Sequence, residues 1–224
     1  MALGFWQLER RVWKEELIAR VEARTRAPAM PVPAEADWKH LSAERDEYRR
    51  VRASGRFRHE YEALVYTVVS ERKGRASGPG YFVLTPLELA SGAVVIVNRG
   101  FVPEVRKHPA SRREGQMEGP VTVTGLLRMP ETGNWFTPAN EPGRKAWYRR
   151  DPAEIAEAYG LARNAPFTID ADAKPNPGGL PQGGETRLDF PANHFGYALT
   201  WFGLAAALFG VFTVFAWQRL KENG

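Results

Sequence analysis

The 224-residue chain has no cysteine. Disulfides, thiolate zinc or copper centres, covalently attached c-type heme and cysteine nucleophiles are therefore excluded together, and the usual clue to redox compartment goes with them. Histidine is scarce. His40, His59, His108 and His194 lie far apart in sequence, and no pair has the one-face helical spacing of a metal site. Adjacent carboxylates such as Glu15-Glu16 and Asp46-Glu47 sit in charged helical or turn contexts, where a solvated face explains them better than acid-base chemistry. Gly178-Gly179 and Gly183-Gly184 do not join a strand to a helix, so they make no phosphate cradle. There is no internal repeat and no low-complexity segment. No catalytic constellation emerges from the residues, and a non-enzymatic role is expected.

Charge, by contrast, is plentiful, with a net +5 that comes from Arg-rich stretches at 45–58 and 106–113. These stretches alternate with acids and carry no nucleic-acid motif, so no nucleic-acid partner is expected; an anionic lipid surface suits them equally.

The longest apolar run is at the end of the chain. Phe195 to Trp217 is uncharged, follows Asn193-His194, and precedes Gln218-Arg219-Leu220-Lys221. As a helix its 23 residues extend about 34 Å, enough to cross a hydrocarbon core of roughly 30 Å, and a helix is the only single span that satisfies its own backbone in lipid. The sequence thus predicts a transmembrane helix at 193–218 and a cytoplasmic tail at 219–224. Trp217 and Tyr197 fit the interfacial belts, and Arg219 with Lys221 mark the cytoplasmic end, although Arg187 and Lys174 precede the span.

Within this span Gly196, Thr200, Gly203, Ala207 and Gly210 recur at alternating steps of four and three, which makes one stripe of small residues suited to close packing by a partner helix. His194, Tyr197 and Trp201 fall on roughly the opposite side. A neutral imidazole at the membrane rim offers a nitrogen to iron, and Tyr197 and Trp201 are placed to flank a planar ring. The simpler alternative is that His194 caps the helix at headgroup level.

Ahead of the span, residues 38–192 read as a mostly β domain: a small antiparallel barrel or sandwich with one short helix. Strands are expected at Tyr48–Phe57, Tyr61–Ser70, Tyr81–Leu84, Ala93–Arg99, Val121–Arg128, Phe167–Ile169 and Thr186–Phe190, from their Val, Tyr, Phe and Thr content and the Gly, Pro and charged turns between them. Ala93 to Val97 is continuously apolar, as a central strand requires. Asp151-Pro152-Ala153-Glu154 has the signature of a helix start and predicts a helix to about Tyr159. Residues 28–37, with Pro28, Pro31 and Pro33, form a linker. Residues 1–27 predict a helix with Trp6, Trp13, Leu17 and Val21 on one side and charges on the other. Either it is amphipathic at a membrane surface or it is the inner end of a longer membrane helix.

Several segments together resemble one family. Leu3 to Arg10, Gly80 to Pro86, Val97-Asn98-Arg99-Gly100-Phe101-Val102-Pro103, Asn134 to Asn140 with Trp147-Tyr148, and Asn193-His194 with Tyr197 to Trp201 are similar, in order and over nearly the whole chain, to the Surfeit locus protein 1 family. The resemblance implies a cytochrome c oxidase assembly factor in the bacterial plasma (inner) membrane, with two membrane helices flanking a domain that faces the periplasm. It implies help in placing heme a in oxidase subunit I, with heme a synthase as a further partner and His194 as the heme contact. The alternative within the family is a structural chaperone that holds subunit I without heme; an enzyme acting on heme or lipid is a third possibility. The chain departs from the family pattern at Phe195-Gly196, where a larger or polar pair is more usual. It departs again in carrying only Ala2 to Leu8 of a first membrane helix, so the expectation is that Met1 is not the natural start.

Overall fold

A computed structural model describes residues 2–70, 76–131, 133, 135–186, 188 and 194–222; side chains are described except those of residues 2–5, 7, 8, 11, 194–199, 215, 216, 220 and 222. The chain divides into two compact units, Arg24–Arg187 and the pair of segments Met1–Ala23 and Leu188–Gly224. In chain order the elements are α1 (Ala2–Arg26), β1 (Met30–Pro31), α2 (Ala43–Asp46), β2 (Arg50–Phe57), β3 (Ala63–Val69), β4 (Gly78–Leu89), β5 (Val94–Pro103), β6 (Pro120–Arg128), α3 (Pro152–Ala158), β7 (Asn164–Ala171) and α4 (His194–Glu222).

Five strands close on themselves in the order β2-β6-β7-β5-β4, because β2 pairs with β6 along its length and with β4 at its end. This is a Greek-key barrel with the strand order of the OB type. One pair in it, β5 with β7, is parallel, where an all-antiparallel arrangement was expected. The parallel pair follows from connectivity: β7 reverses against β6, and the long connection that carries α3 lets it settle between β6 and β5, where it runs in the direction of β5. Two further strands extend the closed sheet, β1 parallel to β2 and β3 antiparallel to β4.

Barrel closure depends on bends that particular residues permit. At Gly55 strand β2 begins to pair with β4 while still pairing with β6, and a Cβ there would run into the Glu88 carbonyl. Strand β4 runs through Pro86 to Leu89, beyond the Leu84 end expected from its proline. It tolerates Pro86 because its register with β3 ends at Leu84 and its register with β2 starts at Leu87, so the missing N–H falls where β4 changes partner. At the other boundary, Tyr48 takes a left-handed backbone (φ 63°), so β2 starts at Arg50 and not at Tyr48.

The barrel interior holds at least one buried side chain from each of the five closing strands, including Val51, Leu87, Val97, Leu127 and Phe167. A second cluster lies on the outer face, where Ala63, Val65, Leu84, Val94 and Ile96 pack with Trp147 and with Ile155 of α3. β5 contributes to both, which is why Val94 to Val97 is uninterruptedly apolar. Helix α3 begins as expected: the Asp151 carboxylate accepts from the backbone N–H of Ala153 (2.9 Å) and Glu154 (3.2 Å), with Pro152 in the first turn.

The strand expected at Thr186–Phe190 is not formed at Thr186 or Leu188; its remaining residues lie outside the described ones. Thr186 has a different task, since its hydroxyl donates to Asp170 (2.9 Å).

Helix α4 is continuous for 29 residues, about 43 Å. Its stretch Thr200–Arg219 is long and apolar enough to cross a membrane and is nowhere buried by protein. Leu208 and Phe209 are 72% and 73% exposed, a cost no water-facing helix of this composition would sustain along its length. Helix α1 spans residues 2–26; Trp6 and Trp13 are exposed on it and Val21 is buried.

Candidate functional site

Candidate site residues gather in two places: at the head of α4, and at the centre of the barrel wall, where sequence motifs with no assigned reaction meet. On α4, His194 is the first helical residue, with Tyr197 and Trp201 three and seven positions on, so one unbroken helix places the three on one face. Trp201 is 40% exposed; the side chains of His194 and Tyr197 lie outside the description. The donor set fits a heme group in its chemistry: an imidazole for iron and aromatic surface for a porphyrin plane.

Of the small-residue stripe, Thr200, Gly203, Ala207 and Gly210 are exposed, and a Cβ built on Gly203 or Gly210 meets nothing within 4 Å. The face is open to a neighbour. Gly196 falls among residues whose side-chain positions are not described. Lys221 reaches over the Trp217 ring (4.1 Å), the pairing expected of an interfacial aromatic and a cationic helix end.

In the barrel, the decisive residue is Asp170 on β7, fully buried. It was not singled out in the sequence, although a carboxylate inside Phe167-Thr168-Ile169-Asp170-Ala171 is the available sign. Its carboxylate accepts from Arg150 Nη1 at both oxygens (3.0 Å each), from Arg128 (3.2 Å), from Asn98 (2.9 Å) and from Thr186. Burial alone would raise the Asp170 pKa; the guanidiniums of Arg150 and Arg128 and the Asn98 and Thr186 hydrogen bonds override it and hold the group below its ordinary value of 3.8. The two arginines are balanced in turn, Arg128 by Glu47 (2.8 Å) and Arg150 by Glu131.

Thus the segments Val97–Pro103 and Trp147–Asp151, distant in sequence, are joined through one carboxylate. The third motif belongs to the same assembly. Asn140 Oδ1 accepts from the backbone N–H of Tyr148 (2.7 Å) and Arg149 (3.0 Å), while its amide donates to Glu154 (2.6 Å), so Asn140 clasps the Trp147 segment. At the tip of the loop before Asn140, Trp135 and Phe136 are 94% and 88% exposed.

Gly100 lies within β5, which continues past the Arg99 end expected, at an irregularity in its pairing with β4. Its φ is +119°, Asn98 Oδ1 accepts from its N–H (3.1 Å), and a Cβ would collide with the Gln182 carbonyl as the segment after β7 pairs with Phe101. His59 is held by the Met117 carbonyl at Nε2 (2.9 Å) and by Arg99 at Nδ1 (3.4 Å), a pairing that suits a neutral ring. Burial lowers its pKa from 6.5. Among the described residues no three His, Asp or Glu side chains gather as a metal site.

Comparison with known proteins places this architecture. Residues 1–206 match the model of the SURF1 family, across the barrel motifs and past His194, Tyr197 and Trp201. The chain belongs to the SURF1 family. Surfeit locus protein 1 of Rattus norvegicus is 38% identical over 228 residues, which cover 97% of this chain and 70% of that protein. The human Surfeit locus protein 1 is 38% identical over 217 residues (92% and 70%), and a SURF1-like protein of Monosiga brevicollis is 39% identical over 230 residues (99% and 83%). For this SURF1 chain the motifs that the sequence offered without a reaction have a structural meaning: they knit the barrel wall around Asp170.

Proposed function

We propose that this chain is a membrane-anchored assembly factor for cytochrome c oxidase that assists the insertion of heme a into subunit I, binding the heme transiently at the outer face of the membrane. The observation that carries the reading is that the family match extends through residue 206 and so takes in the head of α4 together with the barrel. His194 is assigned the iron contact, with Tyr197 and Trp201 against the ring face; the heme supplies the redox chemistry that the finished oxidase will use, and the chain performs no turnover. Its own residues bind and orient. A carrier must hold its cargo more weakly than the acceptor does, which a single imidazole on a lipid-facing helix achieves better than a closed pocket with two axial ligands. In this reading α4 is anchored in a bacterial plasma membrane, the barrel faces the periplasm, and the C-terminus is cytoplasmic. Heme a synthase is a candidate donor.

The test is the absorption spectrum of the detergent-purified full chain from a host that makes heme a. Wild type retains heme a, and His194→Ala loses most of it; equal heme content and an unchanged spectrum in both would remove the ligation.

A second reading is favoured by one observation, the open face at Gly203 and Gly210. There the chain holds subunit I by helix packing and other factors insert the heme. Gly203→Leu separates the two: loss of co-purified subunit I with heme retained supports the packing role, and loss of neither rejects it.

A further inference from the structure

Apart from Asp170 and its arginines, one buried cation has no carboxylate of its own. Arg99 is 1% exposed, and among the described residues no carboxylate lies within ion-pair distance of it. The nearest acid in charge terms, Glu62, is engaged on both oxygens by Arg112, itself buried. Arg99 makes do with weaker company. Its Nη2 donates to the Gly115 carbonyl, its Nη1 meets the His59 ring, its guanidinium lies over the Phe57 ring at 4.7 Å, and its Nε has no partner. With His59 neutral, the group Arg99, Arg112 and Glu62 carries one uncompensated positive charge inside the protein. Burial pushes the Arg99 pKa down to about 10, the mark of a cation short of counter-charge.

Beside this cation the barrel wall is open. β6 and β7 pair from Gly125 and Ala171 to Arg128 and Thr168, and the Asp172 N–H adds one more bond to the Thr124 carbonyl (2.9 Å), so residues 121–123 of β6 continue without β7 beside them. The gap leads into a cavity of about 280 Å³ whose apolar lining includes Phe57, Val97, Met117 and Val121, with Arg99 on its wall and Lys174 at its exposed rim. Asp172, also on the lining, is taken up by Arg50. A cavity with an apolar side, polar groups such as Thr122, Thr124 and Asn176, one buried cation in its wall and a second at its mouth is the form of a site for an amphipathic anion. The single unbalanced charge selects a monoanion.

We propose that this opening in the barrel is a binding site for a small amphipathic carboxylate, whose head meets the Arg99 guanidinium and whose apolar body lies against Phe57, Val97 and Val121. The site is independent of α4 and of the heme assignment. It is tested by calorimetric titration of the full chain in phosphatidylcholine nanodiscs, with sodium hexanoate as probe and 1-hexanol and inorganic phosphate as controls. Hexanoate binds saturably at one site, and both controls bind roughly tenfold or more weakly, because each lacks either the charge or the body. Lys174→Glu, at an exposed position that leaves folding intact, weakens hexanoate several-fold. Val121→Trp fills the mouth and removes binding, and Arg99→Lys, which keeps the charge but loses the planar fork, weakens it roughly tenfold if it folds. Hexanoate heats equal to those of empty nanodiscs, equal binding of hexanol, or binding untouched in both Lys174→Glu and Val121→Trp would overturn the proposal.

Discussion

The barrel unit and helix α4 treat polar and apolar groups in opposite ways. In the barrel, apolar side chains are buried on both faces of β5, and even a charged residue, Asp170, is drawn inside and matched by Arg150, Arg128, Asn98 and Thr186. Along α4 Leu204, Leu208, Phe209, Val211, Phe212, Val214 and Trp217 are exposed, and none of the Thr200–Arg219 stretch is buried by protein. The barrel carries its own solvent-exclusion and hydrogen-bond partners; α4 depends on an apolar medium to supply the first and on its own backbone for the second. One region buries its apolar groups within itself, and the other is long and apolar enough to cross a membrane.

The sharpest way to break this contrast is to unbalance the barrel's buried charge. Asp170→Asn leaves two largely buried guanidiniums partly uncompensated, and is expected to cost about 3–5 kcal/mol, at the lower end because Glu131 and Glu47 still pair them. Urea unfolding followed by near-ultraviolet circular dichroism of the barrel measures it, and the helical signal of α4 in detergent should persist through the same transition. A smaller effect is expected at the backbone. Gly100→Ala combines a positive φ with a collision at the Gln182 carbonyl and should cost about 2–3 kcal/mol in the same assay.

Acid should act on the barrel alone. His59 is held below 6.5 and Asp170 below 3.8, so each contributes stability that is complete above its ordinary value and is lost as pH falls through the depressed one. The barrel midpoint should therefore decline as pH drops below about 6.5 and again below about 4, while α4 in detergent stays helical. His59→Gln should flatten the first decline and leave the second. The smallest effect belongs to the exposed loop tip: Trp135→Ser should change barrel stability by no more than about 0.5 kcal/mol, which the same unfolding curve would detect.

The same contrast decides what could be read in advance. Helix α4 was legible because its signal, an unbroken apolar run with tryptophan and cations at its end, is a property of the segment itself. The Asp151 cap and the two-sided burial of Val94 to Val97 were legible for the same local reason. Barrel closure was not, because it turns on which partner β4 has at Pro86 and where β2 bends at Gly55, and both are set by strands remote in sequence. Asp170 escaped notice because its partners come from four other segments, and no spacing along the chain announces them. Arg99 stood inside a recognised motif, yet its lack of a carboxylate could be seen only once Arg112 was found holding Glu62.

Because the chain has no native cysteine, single cysteines report their surroundings without background, and the division between water and lipid can be read position by position in intact cells. A membrane-impermeant maleimide should label Val105→Cys, which is 87% exposed on the barrel, and should leave Leu208→Cys unlabelled until detergent is added. Labelling of Leu208→Cys as rapid as that of Val105→Cys in undisturbed membranes would contradict the account.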